Sequence, residues 1–115
     1  MINASEEELN DFLKDCYVKK IKRRETLNRV GEVPNEIYFI RKGLLRCLLV
    51  DRNGTEHTVG FTMENRFVTD YSNYLQRKPS VFSLEAIEDL EVVVMPRESI
   101  NRGYKNMKEG DNWVE

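Results

Sequence analysis

The chain has few side chains that could perform acid–base chemistry or hold a metal ion. His57 is the only histidine among its 115 residues, and Cys16 and Cys47 are the only cysteines. Metal sites and Cys-His or Ser-His-Asp catalysis need several such groups together, so we predict no catalytic residue and no metal ligand. We interpret His57 as a hydrogen-bonded or surface residue and the cysteines as buried reduced thiols. A redox sensor, the alternative for the cysteines, needs an accessible thiolate of low pKa.

Composition indicates a single globular domain. Its 18 Lys and Arg residues against 20 Asp and Glu residues give a net charge of −2, and 40% of the residues are hydrophobic. This hydrophobic fraction is enough for one core. The nearly balanced charge argues against this chain binding a nucleic-acid backbone by itself. The basic run at residues 19–24 is interpreted as a solvated strand edge. Because no apolar run approaches the roughly 20 residues of a membrane span, we predict a cytoplasmic chain with no membrane partner.

One pattern could line a binding pocket, the alternation over residues 56–63. An apolar set interleaves with a set of small and hydroxyl residues, namely His57, Val59, Phe61 and Met63 with Thr58, Gly60 and Thr62. A period of two predicts a strand with one apolar face and one face that could line a pocket. The dipeptide of Asn53 and Gly54 before it predicts a two-residue type I′ hairpin turn.

The elements that would position these residues are mostly strands. Ser5 and Glu8 form a capping box, which predicts a leading helix over residues 5–17. Over residues 18–96, turn signals recur about every ten residues, as is typical of a sandwich or barrel.

The last stretch, residues 97–115, is predicted to be helical. Gly103 weakens the first helix, a stop lies near Gly110, and a new helix begins at Asp111. A helix that is started but not extended indicates a fragment or a trimmed domain.

Together these elements resemble the cyclic-nucleotide-binding domain of Crp/Fnr-type transcription regulators. The residues that carry the resemblance are Leu27, the pair Gly31 and Glu32, the strand of Ile37, Tyr38, Phe39 and Ile40 with Gly43 after it, and the hairpin of Asn53 and Gly54. The resemblance covers roughly residues 9–113 and implies a mainly β fold, a double-stranded β-helix or jelly roll with flanking helices. It also implies a sensor for a small-molecule effector, not an enzyme.

The same resemblance implies partners. In the family a long dimerisation helix and a winged helix-turn-helix follow the roll, so a homodimer and DNA binding are expected only through segments that this chain lacks.

The resemblance also locates the family's phosphate-binding cassette. Its short helix begins with a Gly-Glu pair, and an Arg-Ser or Arg-Thr pair precedes the next strand. The corresponding positions are Val68 and Thr69, and Ser80 and Val81. A buried phosphate needs a fixed cation and closely approaching amides, which Ser and Val do not supply as Arg and Gly do. We therefore expect a sensor that does not bind cyclic AMP in the standard way.

The candidate ligand pocket consists of Val68, Thr69, Tyr71, Lys78, Ser80, Val81 and Ser83. Arg77 and Lys78 would supply positive charge if their loop folds inward. Three alternatives remain open: a roll filled by Phe61, Phe67 and Phe82, a degenerate roll serving as a protein-interaction or dimerisation scaffold, and a metal-dependent jelly-roll enzyme, which the single His57 disfavours.

Overall fold

The computed structural model describes residues 6–110, apart from the side chains of residues 8, 9 and 104–110. Its elements are, in chain order, α1 (Glu6–Leu13), β1 (Tyr17–Ile21), β2 (Thr26–Asn28), β3 (Glu36–Lys42), β4 (Leu45–Val50), β5 (Glu56–Thr62), β6 (Phe67–Val68), α2 (Tyr71–Gln76), β7 (Ser83–Ala86), β8 (Leu90–Pro96) and α3 (Arg97–Gly110). No helix in this part of the chain is long and apolar enough to cross a membrane.

The strands form two antiparallel sheets, one in the order β1-β8-β3-β6 and the other in the order β2-β7-β4-β5. Sequence neighbours β3 and β4 lie in different sheets, which confirms the predicted mainly β roll. The core between the sheets contains Ile21, Tyr38, Ile40, Leu45, Leu84, Ala86, Leu90, Val92 and Val94. The nearly unbroken apolar run of β8 supplies three of these, as its position between two strands requires.

The basic run lies where the sequence suggested. Strand β1 is at the edge of its sheet and pairs only with β8, and Lys19 and Lys20 are exposed. Lysines on an edge strand discourage pairing with another chain.

Helices α1 and α3 pack together beside the first sheet. A side chain at Gly103 would overlap the ring of Phe12, so the two helices approach closely only because Gly103 has no Cβ. The expected weakening of the helix at Gly103 does not break it: α3 runs without interruption to Gly110. The new helix predicted from Asp111 lies outside the described residues.

The hairpin between β4 and β5 differs from the predicted two-residue turn. It has five connecting residues, and of the predicted dipeptide only Gly54 has a positive φ, whereas a type I′ turn needs two. The cause is Asp51, whose Oδ1 accepts the backbone N–H groups of Asn53 and Thr55 at 2.8 and 3.0 Å. This side chain organises a longer loop around itself.

The close approach of α1 and α3 predicts an unusual response to Gly103→Ala. In a helix interior this change normally stabilises by about 0.5–1 kcal/mol. Here overpacking against Phe12 costs about 1–3 kcal/mol, so we expect a lower melting temperature. In a Phe12→Ala background the same substitution should raise the melting temperature. If Gly103→Ala stabilises the wild-type chain, the helices do not pack as described.

Candidate functional site

The segment between β6 and β7 forms a compact cassette around one acidic residue. Asp70 is the N-cap of α2, and its side chain accepts the backbone N–H of Asn73. Arg77 closes the helix in the left-handed conformation, with φ of 54° and ψ of 42°. A loop then returns the chain to Ser80, which lies against Asp70. An Asp before a helix and a sharp helix end are therefore what shape this segment locally.

The carboxylate of Asp70 is buried and collects several hydrogen bonds. Its Oδ2 accepts the Ser80 hydroxyl at 2.7 Å, the Asn73 side-chain amide at 2.9 Å and the backbone N–H of Val81 at 3.2 Å. Asp70 is only 7% exposed and Ser80 only 2%. Among the side chains that the structure describes, those of residues 6–103 except 8 and 9, no Lys, Arg or His forms a salt bridge with Asp70. Hydrogen-bond donors alone hold this negative charge.

These donors keep the carboxylate ionised. Burial by itself would raise the pKa of Asp70, but the hydrogen bonds from Asn73, Ser80 and Val81 outweigh burial and place the pKa below the ordinary value. Asp70 also acts on a neighbour: burial, and after it the negative charge of Asp70, raise the pKa of the Cys47 thiol. The cassette therefore presents negative charge toward Cys47 on β4.

A sequence model described as the cyclic nucleotide-binding domain matches residues 18–106. The chain belongs to this family. A search of curated protein sequences finds no match. The family assignment confirms the resemblance noted from the sequence.

Solved structures share the fold of this cyclic nucleotide-binding domain. The catabolite activator protein of Thermus thermophilus is 17% identical with a TM-score of 0.78, over 92% of this chain and 49% of that one. The sensor domain of the regulator DNR from Pseudomonas aeruginosa is 14% identical with a TM-score of 0.81, over 91% and 70%. The c-di-GMP responsive regulator CLP of Xanthomonas campestris is 14% identical with a TM-score of 0.76, over 93% and 52%. This domain thus spans about half of two of these regulators.

Some of the predicted pocket residues lie in the cassette of this domain. Ser80 and Val81 both donate to Asp70. Thr69 lies between β6 and α2, and its hydroxyl donates to the carbonyl of Glu36 at 3.0 Å. Val68 lies in β6, pairs with Tyr38 and packs against the core.

Of the other predicted pocket residues, Tyr71 lines a cavity of about 480 Å³ together with Val68 and Thr69, whereas Lys78 and Ser83 do not line it. Tyr71 and Lys78 are exposed, and Arg77 is exposed too, so the loop does not turn its positive charges inward. Ser83 accepts the backbone N–H of Val30 at 3.1 Å and supports the connection after β2. The seven predicted pocket residues therefore do not all line one site.

Asp70 was missing from the predicted set, although it is the centre of the cassette. The resemblance assigned the family's Gly-Glu pair to Val68 and Thr69, but Val68 is still part of β6 and α2 begins at Tyr71. The acidic residue that opens the helix is consequently Asp70. Its identity as an N-cap was visible in the sequence, and combining it with the family's acidic position would have found it.

A roll filled by aromatic residues does not describe this domain. Phe61 and Phe67 are 63% and 66% exposed, so they lie outside the core. The apolar face predicted for β5 is likewise outward, because Gly60 and Thr62 pair with Cys47 and with the buried Leu45. Cross-strand partners share a face, so Gly60 and Thr62 face the roll interior. Thr58, beyond the register shift in this strand pair, is exposed and accepts a hydrogen bond from Arg46.

The histidine and the two cysteines named from the sequence lie in different segments of the structure. His57 lies on the surface, with Nε2 at 2.8 Å from Oδ2 of Asp51. Cys16 and Cys47 are free thiols, and burial raises the pKa of both. In the part of the chain whose side chains are described, no group of three or more His, Cys, Asp or Glu residues could hold a metal ion.

The Asp70 network predicts different effects for two Ser→Ala changes in one cassette. Ser80→Ala removes the shortest hydrogen bond to a buried carboxylate, so we expect a loss of about 1–3 kcal/mol in the free energy of unfolding. Ser72→Ala, on the exposed side of α2, should change it by no more than about 0.5 kcal/mol. Urea unfolding measures both. Equal effects would mean that Ser80 does not support Asp70.

The lowered pKa of Asp70 predicts a dependence of stability on pH. Because the folded pKa lies below the unfolded value of about 3.9, the unfolded state binds more protons in the interval between them. The contribution of Asp70 is present above the unfolded pKa and is lost as the pH falls through the folded pKa. In urea unfolding, the stability deficit of Asp70→Asn should therefore shrink on acidification. A deficit that does not change with pH would contradict the ionised, hydrogen-bonded carboxylate.

Proposed function

We propose that this domain is the ligand-sensing part of a Crp/Fnr-type transcription regulator whose cassette does not accept the phosphate of a cyclic nucleotide. The family assignment and the fold shared with several regulators support the regulatory role. The exclusion of the phosphate rests on a single observation: the Asp70 carboxylate already occupies the N–H and O–H donors of the cassette.

Repulsion between the Asp70 carboxylate and a ligand phosphate is strong enough to prevent binding. A phosphate that accepted the Val81 N–H would lie close to the Asp70 carboxylate, which accepts the same group at 3.2 Å. Two like charges about 4 Å apart repel by about 4 kcal/mol at an effective dielectric constant near 20, or about a thousandfold in affinity. Ser80 offers no cation in return, because it stands where the family pattern has Arg.

Nearby cations do not compensate for this charge. Arg77 and Lys78 are exposed on the loop. Arg97 is engaged elsewhere, since its Nη2 donates to the carbonyls of Tyr74 at 2.6 Å and Pro34 at 2.8 Å. A neutral or cationic effector fits the cassette better than an anion. Family membership does not fix the effector, since one regulator of this fold is described as c-di-GMP responsive.

Arg97 could transmit a ligand-induced movement of the cassette to α3, and through α3 to the rest of a regulator. It is the first residue of α3, its guanidinium lies 3.9 Å from the centre of the Tyr74 ring, and it bonds the Tyr74 carbonyl in α2. A ligand that moves α2 would therefore move the start of α3. DNA binding and a homodimer would depend on segments of the longer relatives beyond this domain.

One observation favours a second candidate function, a scaffold for protein interaction or dimerisation. Large apolar side chains are more than half exposed around β5, β6 and α2, namely Val59, Phe61, Met63, Phe67, Tyr71 and Leu75. Exposed apolar surface of this kind is typical of interaction sites. In that case the roll would need no effector.

The closed cassette predicts the outcome of a thermal-shift screen. Cyclic AMP and cyclic GMP should leave the melting temperature unchanged, whereas a true ligand at about 100 times its dissociation constant would add about 2.7 kcal/mol. A clear shift with cyclic AMP would contradict the proposal. If neither nucleotides nor metabolites shift the melting temperature, the scaffold function is favoured.

A pair of variants tests whether Asp70 is the cause. In Ser80→Arg alone, the new guanidinium should pair with the Asp70 carboxylate and leave cyclic AMP excluded. In the double variant Asp70→Asn, Ser80→Arg, the charge is removed and a cation supplied, so we expect stabilisation by cyclic AMP. If the folded double variant binds no better than Ser80→Arg, the Asp70 carboxylate is not what excludes the phosphate.

A further inference from the structure

A cavity lies apart from the Asp70 carboxylate of the cassette. It has a volume of about 760 Å³ and is formed by the connection between β2 and β3, the end of α2 and the start of α3. Asp70, Ser80 and Val81 do not line it. Its size is within the usual range for small-molecule sites, about 300–1,000 Å³.

Two buried N–H groups of residues that line this cleft have no hydrogen-bond acceptor. They are the side-chain amide of Asn28 and Nε of Arg97. Asn28 is only 8% exposed, and it lies where the pairing of β2 with β7 shifts register. Bulges of this kind re-aim side chains and are frequent beside functional sites. Since buried polar groups are nearly always bonded, two unpaired donors beside one cleft indicate a missing acceptor.

The cleft is also lined by charges of both signs. Glu32, Glu36 and Glu98 line it together with Arg77 and Arg97, and none of these five forms a salt bridge with another side chain that the structure describes.

The hydrogen bonds already made by two of these carboxylates leave acceptor capacity free. One oxygen of Glu32 accepts the Arg29 N–H at 2.7 Å, and one of Glu36 accepts the Tyr38 hydroxyl at 3.0 Å. Burial and the charge of Glu36 raise the pKa of Tyr38, so that hydroxyl remains a donor. Each carboxylate can still accept further bonds.

We propose that this cleft binds a small zwitterion, such as a free amino acid or a short peptide. The ligand carboxylate accepts the N–H groups of Asn28 and Arg97, and the ligand ammonium group faces the carboxylates of Glu32 and Glu36, of which Glu36 is already bonded to the hydroxyls of Tyr38 and Tyr17. A simple anion would meet three carboxylates, and a simple cation would leave both N–H groups unpaired. Because these two nitrogens have almost no exposed surface, binding includes a rotation of the Asn28 amide toward the ligand.

Binding in this cleft would affect the same contacts of Arg97 that connect the cassette to α3. Arg97 begins α3 and holds the carbonyls of Pro34 and Tyr74, so a ligand that engages its Nε lies where α2, α3 and the connection after β2 meet. This site does not depend on how the cassette treats cyclic nucleotides.

A ¹H–¹⁵N NMR titration of the whole chain observes the two N–H groups directly. The probes are glycine, L-phenylalanine and glycylglycine, with acetate and methylammonium as single-charge controls. We expect saturable shifts of the Asn28 side-chain amide and the Arg97 Nε–H signals with at least one zwitterion, and binding about tenfold weaker or worse for acetate and methylammonium. The Val81 amide should not move.

Matched variants complete the test. Asn28→Leu keeps the side-chain size but removes the donor, so the binding zwitterion should lose about tenfold or more in affinity. Asn53→Leu, in the distant hairpin, should not change it. Arg97→Lys gives a second variant should Asn28→Leu unfold, and it should also weaken binding. The proposal is overturned if no zwitterion shifts these signals at millimolar concentration, if acetate shifts them equally, or if Asn53→Leu weakens binding as much as Asn28→Leu.

Discussion

The buried carboxylate of Asp70 is the interaction on which the cassette depends. It caps α2, bonds the Ser80 hydroxyl ten residues later, and accepts the Val81 N–H just before β7. A buried charge without a counter-ion is tolerated only when hydrogen bonds satisfy it. These bonds tie the end of β6, the helix and the returning loop into one unit, and they also remove the donors with which the family pattern would hold a phosphate. If the proposed function is right, local stability and the exclusion of a phosphate have this one cause.

Arg97 links the cassette to the start of α3. Arg97 stacks on Tyr74 and bonds its carbonyl, while its own backbone N–H donates to the carbonyl of Asn35. Behind it, Gly103 allows α3 to lie against Phe12 of α1. The helix that leaves the roll is therefore fixed at its start by the cassette and along its length by α1. A change at either contact alters its direction.

Much of the fold was predictable because its signals are local. The apolar run of β8 and the alternation along β5 indicate strands whichever way their side chains point. The direction itself was not predictable: Phe61 pairs with Arg46 and faces outward, because the alternate residues Gly60 and Thr62 pair with Cys47 and Leu45 on the inner face.

The site was harder to predict than the fold for the same reason. Its central bond joins Asp70 to Ser80 through a loop whose path depends on the left-handed Arg77. Asp70 is a residue type typical of helix caps, but no local pattern indicates what else a capping carboxylate contacts. The five-residue hairpin illustrates the same limit, because Asp51 organises it through side-chain bonds that the turn dipeptide does not reveal.

The structure of the cassette depends on Asp70 being an ionised carboxylate that accepts a hydrogen bond from the Val81 N–H. An NMR acid titration that follows the Asp70 carboxyl carbon and the Val81 amide proton tests it most directly. We expect the Asp70 and Val81 signals to change with one midpoint below the ordinary Asp value of about 3.9. Saturating cyclic AMP should leave both signals unchanged. A midpoint at or above that value, with a Val81 amide that does not follow it, would contradict the account.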